Sequence, residues 1–339
     1  MILELFIAIL GISIAISLFP SLFVLAKFSY ANAKFSAIEP VFLKEREIER
    51  LLGCKNVEEF KNSIVSKDFI LYGENAREIQ ESIDESYLKI IIMAMNDSPK
   101  SVRKFYRIWL KRAEIEKLKY AIRKKMGGEE FEVKVFDEEI KEIIEDLKKG
   151  EGEKLKNVFN VSLEMPFEEI EREIDKKIIN ELLELELPRH SRKAKNKFVR
   201  IMIDIMNIKA ILRGKYYGLI DIEKNIIPHG WELAKWQIER LIKIDSISEI
   251  ISLMEGTSYY PPLKEAIVDF EREGVTAFER ALDKHLINIS NLIANENPLA
   301  IGPGIRFLIE KEYEVRNLKA IVKGIEEKMA ELARRMVIA

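Results

Sequence analysis

The sequence predicts an all-α protein built of three related helical modules and preceded by an apolar helix. Three observations carry this expectation. One helical phrase is written three times, apolar residues recur at three- and four-residue spacing along most of the chain, and one stretch with strand character, Glu132–Phe136, stands alone among helical segments.

The phrase reads EIEKLKYAIRKKM from Glu114, DIMNIKAILRGKY from Asp204 and EVRNLKAIVKGIE from Glu314. Each copy has an acid, then Lys117, Asn207 or Asn317 three residues on, then Leu118, Ile208 or Leu318. The same lysine follows each time (Lys119, Lys209, Lys319), and each phrase closes on a base: Arg123, Arg213 or Lys323. Spacings of 90 and 110 residues match small domains rather than stacked repeats. They divide the chain into modules at 28–128, 129–219 and 220–339. At about 100° per residue, the acid, the residue three on and the apolar residues after it share one side of a helix, and the base falls opposite. Asp204 is therefore expected at the edge of a buried stripe, where a carboxylate needs donors. A second helix of the same module is the expected source. Chance would explain one such helix, but not three in one register.

Ile2 to Ala26 differ in kind, because Glu4 is the only charge before Lys27. About 20 apolar residues suffice to cross a bilayer, and the bases that follow place the body on the cytoplasmic side. Residues 1–27 are expected to be a transmembrane or membrane-inserted helix; the alternative is a buried helix of the fold. The chain is 33% charged and 47% hydrophobic overall, with 55 bases against 57 acids, enough for a sizeable core and without a global nucleic-acid signal. Cys54 stands alone, so no internal disulfide and no Cys/His metal cluster is expected.

Taken in order, Ile48, Leu51 and Leu52 mark a first helix, and Asn56 with Glu59 caps the next. A helix over Ile79–Met95 stops at Asn96-Asp97-Ser98-Pro99. The first phrase helix ends at Gly127-Gly128. Helices resume from Phe167 to Leu187 and break at Pro188. The basic run Arg189–Arg200, with Arg189, Arg192 and Lys193 at its head, reads either as a solvated helix start or as a contact surface for an acidic partner or lipid headgroups. Trp231, Leu233, Trp236 and Leu241 are spaced as a buried helical face. Ser246 is an N-cap, Tyr259–Pro262 a stiff turn, and Pro303 suits the first turn of a long last helix.

No GxxxxGK[ST], GxGxxG, GxSxG or HExxH is present. His190, His229 and His285 are scattered, and the acids are mostly paired with bases at helical spacing. No catalytic, cofactor or metal site is expected; the work of the chain reads as contact.

The segments YANAKFSAIEP, IIPHGWELAKWQIERLI, SISEIISLMEGTSYYPPL and PLAIGPGIRFLIEKEYEVRNLKAIVKGIEEKM resemble, in order, the C subunit of the A-type/V-type ATP synthases, a family that includes the d subunit of the vacuolar ATPase. The resemblance implies a funnel of three pseudo-symmetric modules, with no bound nucleotide. It implies a seat on the proteolipid rotor ring at the cytoplasmic face of the cell membrane, and a socket for the D and F subunits of the central shaft. Torque would pass through it between ion flow and ATP chemistry. Asp204 with Asn207 and Glu314 with Asn317 would stiffen the modules, Glu114 with Lys117 less so, and Arg123, Arg213 and Lys323 would be free to meet partners. The apolar N-terminus is not explained by the family's common core. A membrane-anchored adaptor of another complex is the alternative reading, and the even charge balance argues against a nucleic-acid partner.

Overall fold

A computed structural model describes residues 26–339. The apolar stretch expected to form the N-terminal helix lies outside them. Every regular element among the described residues is helical. Helix α1 covers 26–37 and buries Phe28, Ala31, Asn32 and Phe35, one face at helical spacing. Then come α2 (Glu45–Leu52), α3 (Val57–Ser63), α4 (Ala76–Asp97) and α5 (Arg103–Met126); next α6 (Glu138–Lys149), α7 (Glu153–Phe159), α8 (Phe167–Glu184) and α9 (Arg189–Tyr217). The chain ends with α10 (Lys235–Lys243), α11 (Ile247–Ser252), α12 (Tyr260–Glu273), α13 (Thr276–Glu296), α14 (Gly302–Glu326) and α15 (Ala330–Met336). No helix among the described residues is long and apolar enough to cross a membrane.

Local chemistry sets the boundaries. Asn56, Asn75, Asp137 and Ser246 cap α3, α4, α6 and α11 through side-chain oxygens that accept the N–H three residues on. Gly128 (φ +71°) and Gly218 (φ +66°) take the left-handed turns after α5 and α9. Between α8 and α9, buried Lys195 donates to the carbonyls of Leu182 and Leu183, in the last turn of α8, at 3.1 and 2.8 Å. Burial pulls that ammonium down to about 8.

The six long helices pack in a closed order: α4 on α5, α5 on α8, α8 on α9, α9 on α13, α13 on α14, and α14 back on α4. All six line a central cavity of about 780 Å³, with α15 at its edge. The short helices lie outside this ring: α6 packs on α5, α10 and α11 on α9, and α2 and α3 on α14.

Four expectations need correction. Glu132–Phe136 is not a strand: the N–H of Phe136 and the carbonyl of Lys134 are taken by Glu114 and Lys117 of α5, leaving no ladder to form. Trp231 and Trp236 are 44% and 63% exposed. Trp231 precedes the start of α10 at Lys235, so the two indoles share no helical register, and the buried face is Leu233, Ile238, Leu241 and Ile242. The turn expected at Tyr259–Pro262 is the head of α12, whose first N–H groups need no helical acceptor. Pro303 does open α14, but α14 is not the last helix, since α15 folds back onto it.

Candidate functional site

The repeated phrase falls on α5, α9 and α14, and the first two copies fasten backbone entering the helices that follow. In α5, Glu114 accepts from the N–H groups of Phe136 and Asp137 at 2.9 and 2.7 Å, and Lys117 donates to the Lys134 carbonyl at 2.7 Å. In α9, one oxygen of Asp204 accepts from the N–H groups of Trp231 and Glu232 (2.8 and 2.7 Å) and from the Tyr259 hydroxyl at 2.9 Å. Asn207 exchanges both hydrogen bonds with the backbone of Ile227, at 2.8 and 2.9 Å. In α14, Asn317 makes the same exchange with Ile338, at 2.6 and 2.8 Å.

The last copy then reaches back to the beginning of the chain. Glu314 accepts from the N–H of Phe42 at 2.8 Å, and Asn317 donates to the Phe42 carbonyl at 2.8 Å. Phe42 precedes α2 as Phe136 and Asp137 precede α6 and as Trp231 and Glu232 precede α10. The three acids are fully buried. Desolvation raises all three carboxyl groups; backbone N–H bonds oppose it at Glu114 and Asp204, and the nearby Lys311 ammonium does so first at Glu314. The donors expected from a second helix of the same module come instead from connecting backbone beyond its bounds, Phe136 and Asp137 for Glu114, Trp231 and Glu232 for Asp204 and Phe42 for Glu314, joined at Asp204 by Tyr259. A loop crossing a helix end has orphan N–H groups, and a carboxylate accepts several at once.

The lysine shared by all copies does something the phrase alone does not disclose. Lys119 pairs with Asp175 of α8 at 2.8 Å, Lys209 with Asp283 of α13 at 2.5 Å, and Lys319 with Asp84 of α4 at 2.6 Å. Each pair ties a phrase helix to the next long helix of the ring, and the third closes it. A signal for the partners exists in the sequence: Ile83-Asp84, Ile174-Asp175 and Leu282-Asp283 each precede apolar residues at three and four positions further on.

The phrase-closing bases sit one turn beyond. Arg123 and Arg213 cross the same seams to Glu171 and Glu279, at 3.5 and 2.5 Å. Gln80 occupies the corresponding place on α4 and donates to the Lys319 carbonyl at 2.9 Å, and Lys323 pairs instead with Glu326 and with Glu327 just past the end of α14; the three bases expected to be free are thus each engaged in an ion pair. Arg189, Arg192 and Lys193 are exposed at the head of α9, with Arg192 facing Glu186 at 3.4 Å.

Inside the cavity wall, Glu312 of α14 takes a two-pronged bond from Arg112 of α5, at 2.6 and 3.1 Å, and a third from Arg316 at 2.6 Å. Burial opposes its charge, but the two guanidinium groups hold the carboxyl down at about 2. Along the cavity edge, Met329, Leu332 and Met336 are each more than half exposed. Among the described residues no group of three or more His, Cys, Asp or Glu is arranged to hold a metal ion.

The repeated polar groups of α5, α9 and α14 hold helices and connecting backbone together in a closed order, which defines an all-α helical-ring protein. The family model for the ATP synthase (C/AC39) subunit matches residues 31–336, and the chain belongs to that family. It is 30% identical to the A-type ATP synthase C subunit of Methanothermobacter thermautotrophicus, with 94% of this chain and 89% of the relative aligned. The proteins of the same description from Methanocaldococcus jannaschii and Pyrococcus abyssi are 29% and 28% identical, over 93% and 88% of this chain and 87% of each relative.

Proposed function

We propose that this chain is the non-catalytic central-stalk component of an A-type ATP synthase, working as a three-module funnel at the cytoplasmic face of the cell membrane. The modules are 28–128, 129–219 and 220–339. It joins the proteolipid ring to the foot of the shaft made by the D and F subunits, and passes torque between ion flow and ATP synthesis or hydrolysis. Residues 1–27 enter the membrane and hold the funnel on the rotor axis.

The observation that carries this reading is the cyclic set Lys119–Asp175, Lys209–Asp283 and Lys319–Asp84. A torsional load on a ring is borne at its seams, and here three of the six, alternating around the ring, are tied by a lysine–aspartate pair as well as by apolar packing. The cavity offers the shaft a seat, with Met329, Leu332 and Met336 of the α15 segment as an uncovered apolar edge.

Tagging the chain in its native cell and purifying in mild detergent tests the reading. Recovery of the proteolipid and both shaft proteins is expected. Recovery of a complex lacking them would overturn it.

A further inference from the structure

We propose that the end of the ring where α5, α9 and α14 begin binds the anionic headgroups of a phospholipid surface. The inference rests on the membrane placement proposed above and adds a ligand class and a face.

Helix α1 gathers three corners at this end. It packs against Pro99 and Lys100 at the α4–α5 corner, across a pocket of about 400 Å³. Its Phe28 ring meets His190 of α9 edge-on at 5.5 Å, and its Asn32 amide donates to the carbonyls of Pro298 and Ala300 just before α14, at 2.8 and 3.1 Å. The first turns of the three phrase helices therefore share one face with α1.

That face carries an excess of positive charge. Lys100, Lys104, Arg107, Arg189 and Lys193 are exposed. Of the acids beside them, Asp97 is taken by Lys34 at 2.6 Å, Glu186 by Arg192 at 3.4 Å and Glu296 by Lys197 at 2.9 Å, and exposed Glu184 at the end of α8 stands against these five bases. The three helix N-termini gathered around α1 add their partial positive charge. Tyr30 and Leu299, 66% and 47% exposed, set apolar bodies among these bases, the mixture suited to a headgroup boundary. The sequence leading into α1 decides between acidic occupants. Before Lys27 its only charged residue is Glu4, and it joins the fold at this face. A lipid surface matches both the charge and the apolar approach.

Co-flotation of the full chain with vesicles provides the test, comparing phosphatidylcholine alone with phosphatidylcholine containing phosphatidylglycerol. Stronger partition onto the anionic vesicles is expected, fading near ~0.5 M salt as screening shortens. Lys100→Glu/Lys193→Glu should lower the anionic preference by roughly tenfold or more. Lys125→Glu/Lys149→Glu, at the far end where Gly150 approaches the Lys125 ammonium, should leave it intact. Equal partition onto both vesicles, or an undiminished preference in the first variant, would overturn the proposal. Co-purification of rotor proteins with the first variant separates the two readings: complex retained with lipid preference lost supports this face as a lipid contact alone, and complex lost with lipid preference unchanged counts against it.

Discussion

The backbone of Gly230 lies directly against the carboxylate of Asp204, so close that a methyl group on residue 230 would stand 1.8 Å from Oδ1. The approach lets the next three residues turn their N–H groups onto the other oxygen of the same carboxylate.

Gly230→Ala is accordingly expected to destabilise the fold by at least ~3 kcal/mol, through steric displacement and loss of those bonds. Asp204→Ala removes the acceptor while leaving its donors buried, and a loss of ~3–5 kcal/mol is expected. Chemical denaturation of the full chain measures both. A change below ~1 kcal/mol in either variant would contradict this role.

Glu312 predicts a specific acid sensitivity. Its folded-state value of about 2 lies below the ordinary carboxyl value of 4.5. The stabilisation it contributes is present above 4.5 and is lost as pH falls towards 2. The raised carboxyls of Glu114, Asp204 and Glu314 act with the opposite sign, favouring the folded state as they protonate. The difference between wild type and Glu312→Gln isolates the first effect: roughly 3 kcal/mol of pH-dependent stability between pH 5 and 2 should vanish in the variant. Parallel stability curves for the two proteins would refute it.

The seams separate half-buried charge pairs from exposed ones. Lys209–Asp283 is mostly enclosed, whereas Arg213 in the neighbouring pair is about half exposed. Double-mutant cycles to alanine should give a coupling of ~1–2 kcal/mol for the first pair and ~0.5 kcal/mol or less for the second. Equal couplings would show that burial does not set the strength of the seams.

Asn317→Ala should free the C-terminal strap without unfolding the ring. Amide exchange in α15 and at Ile338 is expected to accelerate by at least ~10-fold while the centre of α14 stays protected. Uniform acceleration along α14 would instead make Asn317 a determinant of global stability.

The helical class, most element boundaries and the buried phrase were legible in sequence because each depends on spacing within one helix. Asn56, Ser246 and Gly128 announce helix ends by local chemistry alone. The partners of the phrase were less accessible. Asp84, Asp175 and Asp283 lie on other helices, and their match to Lys319, Lys119 and Lys209 is visible only when two weak patterns are overlaid in cyclic order. Trp231 misled because helical spacing was extended across a segment whose N–H groups serve Asp204. Glu132–Phe136 has the alternation of a strand, yet side chains of α5 occupy its backbone groups.

The bond from Phe42 to Glu314 spans 272 residues, and it bears on how the protein is made. During synthesis, α2 and α3 emerge long before the helix that secures them, so the nascent polypeptide must wait as an open curl. A ribosome-bound chain halted before Gly302 should expose the Phe42 region to protease, and one from which α14 and α15 have emerged should shield it. Closing the ring is thus a late event, completed only when α14 arrives to secure the segment before α2.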